Sequence, residues 1–333
     1  MIQVANLVKE FRVYKHHRGG LGALRNLVSR EYRVVRAVSD VSFEIGRGEL
    51  VGYLGPNGAG KSTTIKILTG ILVPSSGRVV VAGRVPWVSR ADHARHIGVV
   101  FGQRTNLWWD LPVVETFDLL RHIYRIPADR FDANLRQFTA LLDLEPFLLT
   151  PVRSLSLGQR MRAEIAAALL HDPDLVFLDE PTIGLDVVAK ERLRQFIRQI
   201  NHERGTTIIL TTHDLGDVEK LCERVIMIDQ GRKLYDGPLA ALRDRFGSGR
   251  LLVVDFAEDY PDVAVNGLQA VRREGARAWY RYDRAAVSTA DLIAQVLAHY
   301  RIQDLSVQEP EIEDIIRQIY EGGLLQEDRQ MET

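Results

Sequence analysis

The sequence predicts an α/β fold: a largely parallel sheet covered on both faces, a helical subdomain inserted into it, and a smaller α/β unit after it. Three observations carry this reading. Between about residues 37 and 245, short apolar runs alternate with helical patterns, as strand–helix–strand units do. One of those runs opens directly into a glycine-rich turn followed by a helix. Residues 112–172 instead place apolar residues at helical spacing, as at Val114, Phe117 and Leu120 or Leu135, Phe138, Leu141 and Leu142.

In chain order, Ile2–Leu7 reads as a short strand. Residues 12–36 then carry seven Lys/Arg (Arg12, Lys15, Arg18, Arg25, Arg30, Arg33, Arg36) against one acid, Glu31. Leu21, Leu24, Leu27 and Val28 fall at helical spacing after Gly19-Gly20. This predicts a basic insertion with a short amphipathic helix, facing solvent, a partner or a membrane surface. Strand-like runs follow at Leu50–Leu54, Val79–Val81, Ile97–Phe101, Leu175–Leu178, Thr207–Leu210 and Val225–Ile228. They are near-continuously apolar, as strands buried on both faces must be. The helical block is expected over about 104–172, and the first domain over 1–245.

A helix is expected from Gly237-Pro238 to Phe246, with Gly247-Ser248-Gly249 as a linker. Residues 250–322 form the accessory unit. It has strands near Leu251–Phe256 and from Val271 to Tyr282, the latter folded back at Glu274-Gly275. Ser288 can cap a helix through His299, and a strand at Ile302–Val307 follows. Pro310 suits a helix first turn and Gly322 a stop. Ile312, Ile315, Ile316 and Ile319 make that helix's buried stripe. Residues 323–333 read as a polar tail.

Composition bounds the function. The 333 residues are 46% hydrophobic and 26% charged, an ordinary globular balance. Net charge is −1, from 43 Lys+Arg against 44 Asp+Glu. That gives no global electrostatic case for nucleic acid. The single cysteine, Cys222, excludes an internal disulfide framework. No run of 18 apolar residues offers a bilayer span. Lys9 and Glu10 interrupt the order of a signal peptide. A cytoplasmic protein is expected, with any membrane part supplied by other subunits.

The chemistry starts at Gly55-Pro56-Asn57-Gly58-Ala59-Gly60-Lys61-Ser62, followed by Thr63. It matches G-x-x-x-x-G-K-[ST] between a strand and a helix. Glycines let backbone N–H groups turn inward around a polyphosphate, and the helix start adds a favourable dipole. Lys61 reaches the outer phosphates as a compact cation, and the Ser62 hydroxyl suits Mg²⁺. Leu175-Val176-Phe177-Leu178 then runs into Asp179-Glu180, two carboxylates at a strand's C-terminal end, where open α/β sheets bind ligands. Asp179 is expected to hold the metal through water, and Glu180 to polarise the attacking water.

Leu155-Ser156-Leu157-Gly158-Gln159 resembles the L-S-G-G-Q signature of ATP-binding-cassette (ABC) ATPases, with Leu157 in place of the first glycine. Ser156 stands where a helix N-cap would be. The resemblance spans about residues 2–245 and implies a P-loop NTPase cassette. It also implies roles in order along the chain. Gln103 would sense metal and water. Ser156, Gly158 and Gln159 would grip the γ-phosphate bound by the opposite subunit. Asp186, in Gly184-Leu185-Asp186, would contact that subunit. His213, 33 residues after Glu180, would be the switch histidine. Phe11, or else Tyr14, would stack on adenine.

What the resemblance implies is an ATPase using ATP and Mg²⁺, completed by a second cassette as homodimer or heterodimer. No N-K-x-D motif in the apt place supports guanine. The accessory unit resembles the C-terminal extension of bacterial exporter cassettes of the drug-resistance kind. The implied setting is therefore the cytoplasmic face of a membrane, beside transmembrane permease subunits. Trp108-Trp109 suits a contact with them. The alternative is a soluble cassette acting on ribosomes or DNA. Against that, the chain holds one cassette, and only 42 residues separate Lys61 from Gln103 and 52 separate Gln103 from Leu155.

Overall fold

A computed structural model describes residues 1–14, 32–102, 105–246, 249–260, 263, 265–283, 286–308 and 312–322. Contacts divide the chain into two units, Met1–Asp236 and Gly237–Thr333.

The first unit begins with two long strands, β1 (Ile2–Tyr14) and β2 (Tyr32–Ile45). Then come β3 (Leu50–Leu54), helix α1 (Lys61–Leu68), β4 (Ser76–Val81), α2 (Arg90–Ala94) and β5 (Ile97–Phe101). The helical block holds α3 (Val113–Tyr124), α4 (Ala128–Leu142) and α5 (Leu157–Leu169). β6 (Leu175–Asp179), α6 (Val187–Arg204), β7 (Thr207–Thr211), α7 (Leu215–Leu221), β8 (Arg224–Asp229) and β9 (Arg232–Pro238) follow. β5, β6, β7, β3, β8 and β9 form one sheet in that order. Its pairs β5–β6, β6–β7, β7–β3 and β3–β8 are parallel. A parallel sheet puts all its C-terminal ends on one edge, so Phe101, Asp179, Thr211 and Leu54 end their strands together. The ladders align Phe101 with Asp179 and Asp179 with Thr211.

A second, antiparallel sheet of order β2-β1-β4 packs on α1. Ile65, Ile67 and Leu68 of α1 are buried with Val4, Val38, Val51, Tyr53 and Val79. Each such aliphatic side chain contributes roughly 1.5–3 kcal/mol when fully buried. The Tyr53 hydroxyl donates to Thr64 Oγ1 at 3.2 Å, tying α1 to β3. Arg204 at the end of α6 reaches Asn134, Gln137 and Asp172, fastening the helical block to the sheet unit.

One expectation needs correction. The first strand does not stop at Leu7: it runs on to Tyr14, and both ends of the basic insertion are strand. β1 and β2 continue as a ribbon pairing Phe11 with Val35, Arg12 with Val34, Val13 with Arg33 and Tyr14 with Tyr32. β-branched and aromatic residues favour the pleated form. Tyr14 and Tyr32 meet edge to face, with Arg12 over the Tyr32 ring. The expected helix through Leu21–Val28 lies outside the described residues.

The second unit starts with α8 (Leu239–Phe246), then β10 (Gly249–Phe256), β11 (Gln269–Glu274), β12 (Arg277–Asp283), α9 (Thr289–His299), β13 (Ile302–Gln308) and α10 (Ile312–Gly322). Its antiparallel sheet has the order β11-β12-β10-β13. Leu252, Val254, Tyr280 and Tyr282 pack on Leu292 and Val296 of α9. Ile312, Ile315, Ile316 and Ile319 are all buried.

Candidate functional site

The turn after β3 builds the first wall of the site. At Gly60 the backbone takes φ 107°, and a Cβ there would meet the Ala37 carbonyl oxygen at 2.5 Å, so glycine is required. Gly60 also caps α1 without a side chain, and the first-turn N–H groups of a helix have no intrahelical acceptors. They are therefore available to an anion. Lys61 Nζ donates to the Gly55 carbonyl and, at 3.2 Å, to that of Pro56. An ammonium folded onto its own loop is held at the mouth of the cradle. Burial pulls the Lys61 pKa down, opposed by the charges of Glu180 and Asp179.

The second wall is the edge where β6 and β7 end. Thr211 donates its hydroxyl to Asp179 Oδ1, and Glu180 N donates to the Thr211 carbonyl at 2.8 Å. Glu180 takes φ 56°, a left-handed conformation for a non-glycine residue. Such strain costs of order 1–3 kcal/mol and persists where surrounding contacts impose it. Its Oε2 lies 2.6 Å from His213 Nδ1. Burial pushes the Glu180 pKa up, while the His213 interactions pull it back.

Between these walls is a cleft of about 640 Å³. Pro56, Asn57, Gly58, Gly60, Lys61, Ser62 and Thr63 line it on one side, and Asp179 and Glu180 on the other. The Ser62 hydroxyl and Asp179 carboxylate thus share one space and offer the hard oxygen donors Mg²⁺ takes. The residues fit a magnesium nucleotide. Gly55 and Ala59 support the turn from behind: Ala59 is buried, and a Cβ on Gly55 would strike the Ile228 carbonyl oxygen at 2.5 Å.

Other expected site residues lie elsewhere. Phe11 is not among the cleft's lining residues; it sits on β1 with the Lys9 ammonium 5.1 Å from its ring centre. Tyr14 is on the same ribbon. Gln103 lies outside the described residues, but its neighbours Phe101, Gly102, Thr105 and Asn106 line the cleft. Ser156, Gly158 and Gln159 do not line it. Ser156 caps α5 in a reciprocal box: its hydroxyl accepts from Gln159 N at 3.2 Å, and its N–H donates to Gln159 Oε1 at 2.9 Å. The Ser156 hydroxyl proton remains available to an outside acceptor. Asp186 caps α6, accepting from Ala189 N at 2.8 Å.

Leu157 has a definite seat. A Cβ added to Gly184 would fall 2.2 Å from Leu157 Cδ2, so the leucine lies directly on the glycine backbone. Sequence reasoning missed this, and also missed Thr211 and Glu164. The Glu164 carboxylate, buried in α5, accepts from Asn106 N at 3.0 and 3.1 Å. Burial raises its pKa. The only signal available was a glutamate on the apolar face of a helix.

A nucleotide-binding loop, a carboxylate pair and a histidine on one edge of a parallel sheet define a nucleotide-hydrolysing α/β cassette. Residues 38–183 match the family model described as ABC transporter. The chain is 36% identical over 210 residues to the ABC transporter ATP-binding protein NatA of Bacillus subtilis (strain 168), covering 63% of this chain and 85% of that protein. It is 30% identical over 294 residues to the linearmycin resistance ATP-binding protein LnrL of the same organism, covering 86% and 94%. Among solved structures it is similar to a dimeric post-hydrolysis state of the ATP-binding cassette MJ0796 bound to ADP and Pi. That match has a TM-score of 0.60 and 27% identity, over 72% of this chain and 99% of that one. The chain belongs to the ABC transporter family, as an ATP-binding subunit with ATPase activity.

Proposed function

We propose that this chain energises export through a separate membrane permease, working at the cytoplasmic face of the membrane as one of two cassettes that close over ATP. The observation that carries this reading is a separation. Lys61, Ser62, Asp179 and Glu180 share one cleft, whereas Ser156, Gly158 and Gln159 of the same chain do not line it. A second cassette would supply those donors, and Asp186 would meet it. The similarity to a dimeric cassette and to one protein named for resistance supports the same reading.

In the proposed reaction, the loop N–H groups and Lys61 bind the triphosphate and neutralise its developing charge. Ser62 and Asp179 would hold Mg²⁺, which supplies charge neutralisation at the phosphate oxygens. Glu180 accepts a hydrogen bond from the water that attacks the γ-phosphorus in line. His213 orients Glu180 through their 2.6 Å contact. Such catalysis is mostly placement and electrostatics. Phe11 or Tyr14, on the β1 ribbon, would move onto adenine when nucleotide binds, and Gln103 would reach the metal and water.

Trp108 and Trp109 are 39% and 50% exposed at the start of the helical block, and a groove of about 420 Å³ lies between Leu111, Val114 and Leu119. Glu115, Asp118 and His122 complete the lining of that groove, so this surface, half apolar and half polar, would take the permease. The test is copurification with the native membrane partner. Wild-type protein should assemble with it and hydrolyse ATP faster when cargo is added; Trp108→Ala/Trp109→Ala should keep basal turnover and lose assembly. Copurification with ribosomes or DNA instead would favour the soluble alternative.

A further inference from the structure

Glu180 and His213 leave neighbouring strands, and the β6–β7 ladder ends at Asp179 and Thr211. Glu180 enters the loop to Asp186, and His213 precedes α7. A buried bond joins them again: the Thr182 hydroxyl donates to Asp217 Oδ2 at 2.5 Å. Arg194 of α6 occupies the other oxygen, with Nε 2.7 Å and Nη2 2.5 Å from Oδ1. Exposure is 3% for Thr182, 0% for Asp217 and 7% for Arg194. A parallel tie runs from Lys190, on the first turn of α6, to Asp214 Oδ2 at 2.5 Å.

We propose that Asp217, acting through the Thr182 hydroxyl, is a positioning residue for hydrolysis: it fixes the loop behind Glu180 to the helix behind His213 and so sets their contact. The proposal rests on Glu180 being the group that polarises water. Arg194 by itself balances the Asp217 charge, so the Thr182 bond adds geometry rather than neutralisation. It acts two residues from Glu180, whose left-handed backbone needs outside contacts to hold it. A misplacement of about 1 Å at a reacting group can cost roughly 100-fold in rate.

Thr182→Val keeps the side-chain shape, leaves the Asp217–Arg194 pair intact and deletes the hydroxyl; Thr182→Ser keeps the hydroxyl. The expected result for Thr182→Val is a kcat loss of about tenfold or more, with KM and ATP affinity within about twofold of wild type. Thr182→Ser should stay within about twofold in every parameter. A Thr182→Val kcat within about twofold of wild type, or ATP affinity lost in step with kcat, overturns the proposal. Should Thr182→Val not fold, Thr182→Ala gives the same reading, since it deletes the same hydroxyl and also leaves the Asp217–Arg194 pair in place. Glu180→Gln is measured in parallel. If it keeps wild-type turnover, the role of Glu180 falls and takes this proposal with it; if it is inactive while Thr182→Val keeps kcat within about twofold of wild type, the positioning role alone fails.

Discussion

His213 Nδ1 stands 2.6 Å from Glu180 Oε2, with the histidine 75% exposed and the glutamate 26%. The exposed ring can leave or return without disturbing the core, whereas the glutamate is fixed from several sides. Burial raises the Glu180 pKa and His213 lowers it. On acidification Glu180 therefore protonates at higher pH than an ordinary glutamate, and turnover falls with it. His213→Ala removes the lowering influence, so the acid limb of a kcat/KM–pH profile, which reports the free enzyme, should move to higher pH. A limb that stays in place or moves down would contradict the contact.

The same shift has a stability consequence. A carboxyl whose folded pKa is raised favours the folded state at low pH and loses that contribution as pH rises through the folded value. Nucleotide-free Glu180→Gln should accordingly melt above wild type near pH ~8, with the gap closing as pH falls to the ordinary glutamate value of about 4.3 and below. Calorimetric scans across that interval check it.

Among the described residues, Lys61 Nζ donates hydrogen bonds only to carbonyls of its own loop, so its removal should spare the fold and damage the ligand site. Hydrogen bonds to charged groups contribute about 1.5–3 kcal/mol, so Lys61→Ala should weaken ATP binding roughly 10- to 100-fold. Titration calorimetry measures the affinity, and an unchanged or higher Tm is expected.

Leu157 and Gly184 form a testable pair. Gly184→Ala places a methyl 2.2 Å from Leu157 Cδ2, at a residue with φ +71°. Overpacking and backbone strain should together cost about 1–3 kcal/mol or more. Leu157→Ala in the same molecule should recover part of that loss, with a coupling of about 0.5–3 kcal/mol. Strictly additive losses in a denaturant double-mutant cycle would remove the contact.

Glu164 gathers donors from the loop that lines the cleft. Glu164→Ala leaves the Asn106 N–H without its acceptor, at a cost of about 1–3 kcal/mol. Because Thr105 and Asn106 face the cleft, ATP turnover should fall along with Tm. Full turnover at lowered Tm would confine Glu164 to a structural role.

What was legible in the sequence was local. The run Leu50–Leu54 into Gly55–Ser62 carries strand, turn and chemistry within thirteen residues, and Leu175–Leu178 into Asp179-Glu180 carries strand and carboxylates within six. The cleft they form was readable because parallel strands must end on one edge. The rest depends on pairings across long stretches of chain. Thr182 and Asp217 are 35 residues apart, and Asn106 and Glu164 are 58 apart. Neither pair has a local pattern. The extension of β1 past Leu7 has no local signal, because the cross-strand pairing of Tyr14 with Tyr32 joins residues 18 apart in the chain. The seat of Leu157 on Gly184, 27 residues further along the chain, likewise has no local signal.

The central claim is that ATP is held in the Lys61–Glu180 cleft and closed over by another cassette. Sedimentation velocity of Glu180→Gln with and without magnesium ATP tests it most directly. The expected result is a monomer that becomes a dimer when ATP is added and returns to monomer when Ser156→Arg is introduced. A species that binds ATP and stays monomeric in Glu180→Gln, or a dimer indifferent to both ATP and Ser156→Arg, would contradict it.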